Sequence, residues 1–137
     1  MLGVDDPAVV AEVAAVFDRY EQALRTNDAA ALTELFWADG RTIRYGDTGN
    51  AYGADAIAAF RAARPSGVNS GRSVGPVVIT AFGSDVAVVS AEFRRSAGAR
   101  PGRQTQTWVR TDAGWRVVNA HVSFAIVGAE GTEPSRH

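Results

Sequence analysis

The feature that most narrows the folds open to this chain is the order of its two halves. From residue 72 onward the sequence falls into four runs, Arg72–Phe82, Asp85–Arg95, Arg103–Arg110 and Trp115–Val127. They are separated by short stretches of turn chemistry: Gly83-Ser84, Gly98 to Gly102, and Asp112 to Gly114. Runs of this kind read as strands joined by hairpins. Most of the first 64 residues repeat their apolar positions at helical spacing instead. A chain that places its helices first and a long antiparallel meander after them folds as α+β.

The helical half has clear punctuation. Asp6 followed by Pro7 is a capped start with proline at the first helical position. Val9, Val13, Val16, Phe17, Tyr20 and Leu24 then share one face, while Asp18, Arg19, Glu21 and Arg25 are expected in water. Asn27-Asp28 breaks this helix and caps a short second one, whose apolar side is Leu32, Leu35 and Phe36, with Trp37 just after. Asp39-Gly40 is a turn, and the alternation of Arg41–Tyr45 predicts a short strand with Thr42 and Arg44 on one face. Asn50–Tyr52 reads as a short edge strand. Gly53–Arg64 reads as a third helix stopped by Pro65, with Ile57, Phe60, Arg61 and Arg64 along its stripe. The expected architecture is three N-terminal helices on a strongly curved, mostly antiparallel sheet: a cone with an open mouth. It forms one domain over 1–137 with loose termini at 1–6 and 128–137.

Composition removes several chemistries. The chain has no Cys, so disulfides, thiolate metal sites and a Cys nucleophile are excluded together. All 14 basic residues are Arg, which excludes Schiff-base chemistry and a lysine base. The formal net charge of −1 creates no global field that favours nucleic acid or membrane. No metal-ligand cluster, phosphate loop or nucleophile elbow is visible. The acidic N-terminus lacks the apolar run of a signal peptide, so the expected compartment is the cytoplasm.

Two residues carry the functional reading. Tyr20 sits on the buried face of the long helix, and Arg44 on the inward face of the first strand. A phenol and a guanidinium delivered to one cavity make a site for a small anion. Tyr20 is either a core aromatic or a hydrogen-bond donor to a carbonyl or developing oxyanion. Arg44 pairs either with a protein carboxylate, Glu92 or Asp47, or with a substrate carboxylate through two parallel hydrogen bonds. Arg61 and Arg64 either snorkel to water or add a second clamp suited to a dianion. Arg72 opens its strand near the same mouth.

The chain resembles the NTF2-like superfamily of cone-shaped proteins, which includes ketosteroid isomerases. The motifs are RYEQAL…ND…L..LF, GADAIAAF from Gly53 to Phe60, and GWRVVNAHVSF from Gly114 to Phe124. Within it, LFW (35–37), TIRYG (42–46), GRQTQTWVR (102–110) and GWRVVNAHVS (114–123) resemble the AtzH-like family, with its oxalurate-catabolism proteins called HpxZ. The resemblance implies a small-molecule amidohydrolase, acting on a carboxylated urea in a 1,3-dicarboxyurea to allophanate type of reaction, with Tyr20 and Arg44 as the catalytic pair. It implies no cofactor, a homodimer that docks through the outer face of the sheet, and a possible amidase partner.

Where ketosteroid isomerases align an Asp base, this chain has Arg44, which cannot serve as a base at neutral pH. Trp37, Arg61, Arg72, Gln106 and Trp108 are the further residues expected to contact substrate. The last strand is expected to turn Val118, Ala120, Val122 and Phe124 inward and His121 outward. A non-catalytic binder of small anions is the alternative reading.

Overall fold

The computed structural model describes residues 2–126; the tail expected to be loose, 128–137, lies outside them. Three helices, α1 (Pro7–Arg25), α2 (Ala29–Leu35) and α3 (Ala54–Ala63), pack on a sheet of six strands. These are β1 (Ile43–Gly46), β2 (Gly49–Tyr52), β3 (Ser73–Phe82), β4 (Val86–Arg94), β5 (Gly102–Thr111) and β6 (Gly114–Phe124). The order across the sheet is β2-β1-β6-β5-β4-β3. All neighbours are antiparallel except β1 and β6, which run parallel with Arg44 opposite Ala120.

The caps behave as their residue types require. Asp6 accepts a hydrogen bond from the Ala8 amide at 2.9 Å, with Pro7 at the first helical position. Asp28 accepts from the Ala31 amide at 3.1 Å and starts α2. Gly53 precedes α3 with φ 92°, a left-handed conformation that costs other residues energy. The expected face of α1 is the buried one, and it packs with Leu32, Leu35 and Phe36 against inward residues of the sheet. No helix among the described residues is long and apolar enough to cross a membrane.

Three local expectations are corrected. Residues 3–5 are not loose. The Asp5 amide donates to the Ala81 carbonyl, the Asp5 carboxylate accepts from the Ala81 amide, both at 2.9 Å, and Gly3 accepts from Gly83. The segment extends the edge of β3, where unpaired ladder groups needed partners. Glu21 is not in water but buried, because β3 brings Arg72 up against that side of α1.

In β6 the inward set is Trp115, Val117, Ala120 and Val122. Thr107 pairs with Asn119 and Trp108 with Val117, so Val118 is an extra residue in the ladder. This bulge shifts the two-residue period by one position. Unbroken alternation would have turned Trp115 and Val117 outward.

Gly102 faces Phe93 across the β4–β5 ladder, and a Cβ built there would clash with the Cζ, Cε1 and Cε2 atoms of the Phe93 ring. We expect Gly102→Ala to lower unfolding free energy by about 1–3 kcal/mol in urea titration, as overpacking does.

Candidate functional site: an arginine-lined cleft

The wide end of the cone holds a cleft between α1, the strand ends of the sheet and the loop after α3. It is lined by Tyr20, Leu24, Arg44, Arg61, Arg64, Asn69, Arg72, Phe93, Arg95, Gln104 and Val122. Its cavity volume is only about 20 Å³, room for about one water, so the arginine side chains nearly fill it and must move apart to admit a larger ligand; the free space with the open mouth included is about 290 Å³.

Tyr20 enters from the buried face of α1 and is 2% exposed. Its ring meets Phe36 at 6.2 Å and Trp108 edge-on at 6.1 Å, which holds it in place. Its hydroxyl oxygen accepts a hydrogen bond from Arg61 Nη2 at 2.9 Å. With that oxygen held by a cation, the phenolic proton is free to be donated into the cleft.

Arg44 reaches the same cleft from β1 and is 6% exposed. Gly46 makes room for it: a Cβ there would lie 2.6 Å from Arg44 Nη1. The guanidinium lies over the Phe60 ring, 4.3 Å from its centroid, and its Nε is buried with no hydrogen-bond partner. Burial first, then the neighbouring Arg61 and Arg64, lowers its pKa from 12.5 to about 10, with Tyr20 and Asp47 opposing. Arg44 is therefore still cationic at neutral pH. The folded-state pKa lies below the unfolded one, so the penalty for burying the charge is in force at every pH below about 10. Glu92, one partner expected for it, is on the opposite face of the sheet, across from Arg103. Asp47 acts on Arg44 through space.

Arg61 and Arg64 do not snorkel clear of the site. Both stand over the same Phe60 ring at 5.3 Å, and the Nε of each is buried and unpartnered. Three guanidinium groups thus stand within 5.3 Å of one phenyl centroid. A cation over a ring recovers part of its lost hydration, but three of them repel one another.

Arg72, expected to hold substrate, lines the cleft with its guanidinium already paired. Its Nε and Nη2 donate to both carboxylate oxygens of Glu21, at 2.8 and 3.0 Å, and Gln104 Nε2 adds a third bond to Glu21 at 2.9 Å. Its guanidinium also stacks 3.9 Å above Phe93. That guanidinium is committed to a structural pair, and it forms a wall of the cleft.

Trp37, also expected to hold substrate, is outside the cleft. α2 ends at Leu35, the chain becomes extended, and alternation puts Phe36 inside and Trp37 outside, beneath Arg41. Gln106 and Trp108 do face inward but do not line the cleft. The Trp108 indole N–H donates to Gln106 Oε1 at 3.0 Å, and Gln106 Nε2 is buried without a partner.

Sequence reasoning missed Glu21, Phe60, Asn69, Arg95 and Gln104. The one usable signal was Gln104, which alternates with Gln106 and Trp108. Asn69 Oδ1 and Arg95 Nε are buried at the cleft without partners. His121 is exposed on the outer face, edge-on to Tyr45 at 5.7 Å. Among the described residues, no group of three or more His, Cys, Asp and Glu is placed to hold a metal.

A larger groove, about 970 Å³ by the same measure, runs between α1 and β3 along Phe17, Val74, Val77 and Ile79. Of the charged groups there, Glu21 and Arg72 are already paired and Arg25 leans on Glu21 and Gln22. Unmatched buried charge is concentrated in the smaller cleft, which makes that cleft the candidate site.

A long helix inside a curved sheet, with a polar cleft at the wide end, defines this as a protein of the NTF2-like class. The Salmonella enterica NTF2-like superfamily protein shares that fold at a TM-score of 0.72, with 23% identity over 93% of this chain and 99% of the other. More specifically, the chain belongs to the AtzH-like family, whose model matches residues 2–127. A Pectobacterium atrosepticum protein of unknown function is 50% identical, covers 90% of this chain and 95% of its own, and superposes with a TM-score of 0.85. A Burkholderia xenovorans protein with a cystatin-like fold is 41% identical over 93% of this chain and 99% of its own, with a TM-score of 0.87. No curated protein matches the chain.

Two outcomes test this description. Glu21→Ala leaves Arg72 buried and unpaired, and is expected to cost about 3–5 kcal/mol in chemical denaturation. Arg44→Met removes a buried charge that has no ion pair among the described residues and keeps its apolar stem. It is expected to raise unfolding free energy by about 0.5–2 kcal/mol, the gain typical of relieving a destabilised functional site.

Proposed function

We propose that the protein is a small-molecule amidohydrolase that cleaves a C–N bond of a carboxylated urea, of the 1,3-dicarboxyurea to allophanate type. The observation that carries this reading is the pairing of a proton donor with unmatched cations. Tyr20 is held by Arg61 through its oxygen, beside a buried Arg44 that has no ion pair among the described residues. The family supplies the substrate class, and the cleft supplies the chemistry.

The balance of that reaction fits the groups present. 1,3-Dicarboxyurea differs from allophanate by one carbon dioxide. The bond that breaks joins a urea nitrogen to a carboxyl carbon, that carbon leaves as carbon dioxide, and the nitrogen takes up a proton. Such a step needs an acid for the nitrogen and a cation for charge delocalised onto the urea oxygen. It has no need of a carboxylate base. Arg44 stabilises the developing charge. Tyr20 gives its proton to the nitrogen and recovers one from water, and the hydroxide left takes up the carbon dioxide as bicarbonate, so the net change is hydrolysis.

We also propose, on the family resemblance, a homodimer formed through the outer face of the sheet, a cytoplasmic location, and an amidase that supplies the substrate. Binding without turnover is the second reading, since unpaired cations hold an anion whether or not it reacts.

Carbon dioxide release from freshly made 1,3-dicarboxyurea, against a protein-free blank, tests the activity. Protein-dependent release is expected to drop about 10²–10⁴-fold in Tyr20→Phe and about 10²–10³-fold in Arg44→Met. Release equal to the blank moves the protein to the binder reading.

A further inference from the structure

The inner part of the cleft, around Tyr20, Arg44 and Arg61, accounts for one anionic group. It leaves the outer cations unexplained. Arg64 closes α3, and Arg95 follows β4, so they approach the mouth from different elements. Each has a buried Nε with no partner, although each residue is only partly buried as a whole. Arg64 stands over Phe60, and Arg95 over Phe124 at 4.7 Å, so apolar rings fix both heads and leave their donor edges unspent. The two repel one another: after burial, Arg64 is the largest influence that lowers the pKa of Arg95, with Asp47 opposing through space. No ion pair with Arg44, Arg61, Arg64 or Arg95 is present among the described residues.

The inner and outer groups are close. Arg44, Arg61 and Arg64 all lie within 5.3 Å of one ring centroid. Their heads are therefore no more than about 10 Å apart, within reach of one short ligand. Like charges held together without counter-ions are unfavourable in the free protein and become favourable when a ligand supplies the missing charge.

We infer that Arg64 and Arg95 form a second anion subsite, so that the cleft takes a short dianion end to end: the urea oxygen and the inner carboxylate face Arg44 and Arg61, and the outer carboxylate lies between Arg64 and Arg95. The second carboxylate does not react. It is held at the mouth, and it makes these two arginines the residues that select dianions over monoanions. The inference rests on the proposed location of the site, and it does not require turnover.

Two stable probes of equal chain length test it by calorimetric titration. Glutarate carries two carboxylates at the spacing of a dicarboxyurea, and pentanoate replaces one of them with a methyl group. The native protein is expected to bind glutarate about 10- to 100-fold more tightly, the value of one extra charge-assisted contact. Arg64→Met and Arg95→Met keep the apolar stems over their rings. Each is expected to weaken glutarate binding at least fivefold with pentanoate affinity changed less than twofold, and together they should abolish the preference. Arg44→Met should weaken both ligands. Circular dichroism of each variant separates a lost subsite from a lost fold, and Arg95→Gln replaces any variant that fails to fold. Equal affinity of the native protein for both probes, or an unchanged preference in the double variant, overturns the second subsite. A clear preference for glutarate in a protein that releases no carbon dioxide keeps the subsite and overturns the proposed reaction.

Discussion

The bidentate pair between Glu21 and Arg72 is the contact on which the cleft depends. It joins α1 to the start of β3, and Gln104 ties β5 into the same carboxylate. It is geometrically complete, since both carboxylate oxygens are used and Arg72 also stacks on Phe93. Such completeness is what allows a charge pair to sit in the interior at all. It also uses up a buried carboxylate beside the cleft. Among the described residues the remaining arginines there have no ion pair, and the proposed anion site rests on that imbalance.

The arrangement around Phe60 has the same logic. A folded chain normally avoids three guanidinium groups over one ring. Here rigid elements hold them: β1 carries Arg44 and α3 carries Arg61 and Arg64, and α3 begins at a left-handed Gly53. Burial first, and then repulsion from Arg61 and Arg64, lowers the pKa of Arg44. On the proposed reading, the donors point inward before a ligand arrives, and an incoming carboxylate completes the contacts these arginines lack. Tyr20 belongs to the same device. Arg61 occupies its oxygen, so the proton is the only part of the hydroxyl left to offer.

Much of the fold was legible in the chain. Caps at Asp6 and Asp28, the helical stripe from Val9 to Leu24, and Gly-containing breaks between the later strands located most elements to within one or two residues. Helix and hairpin chemistry is local, so the residues that decide it are adjacent in sequence. Tyr20 and Arg44 were legible as inward-facing residues for the same reason. The misreadings share a different cause. The bulge at Val118 changes the phase of β6 through pairing with β5, and no residue in β6 announces it. Trp37 leaves the interior because α2 stops at Leu35 and the chain becomes extended, so Phe36 stays inside and its neighbour turns out.

The sequence by itself therefore determined the class of fold, the inward direction of Tyr20 and Arg44, and the chemistries that lack of Cys and Lys forbids. Only the tertiary structure decided which charges cancel. Glu21 and Arg72 lie 51 positions apart, and Arg61 lies 41 from Tyr20. Whether an arginine is a structural partner or an open anion site depends on which carboxylate the fold carries to within about 4 Å of it. That distance is set by packing across the cone, and composition and periodicity contain no record of it.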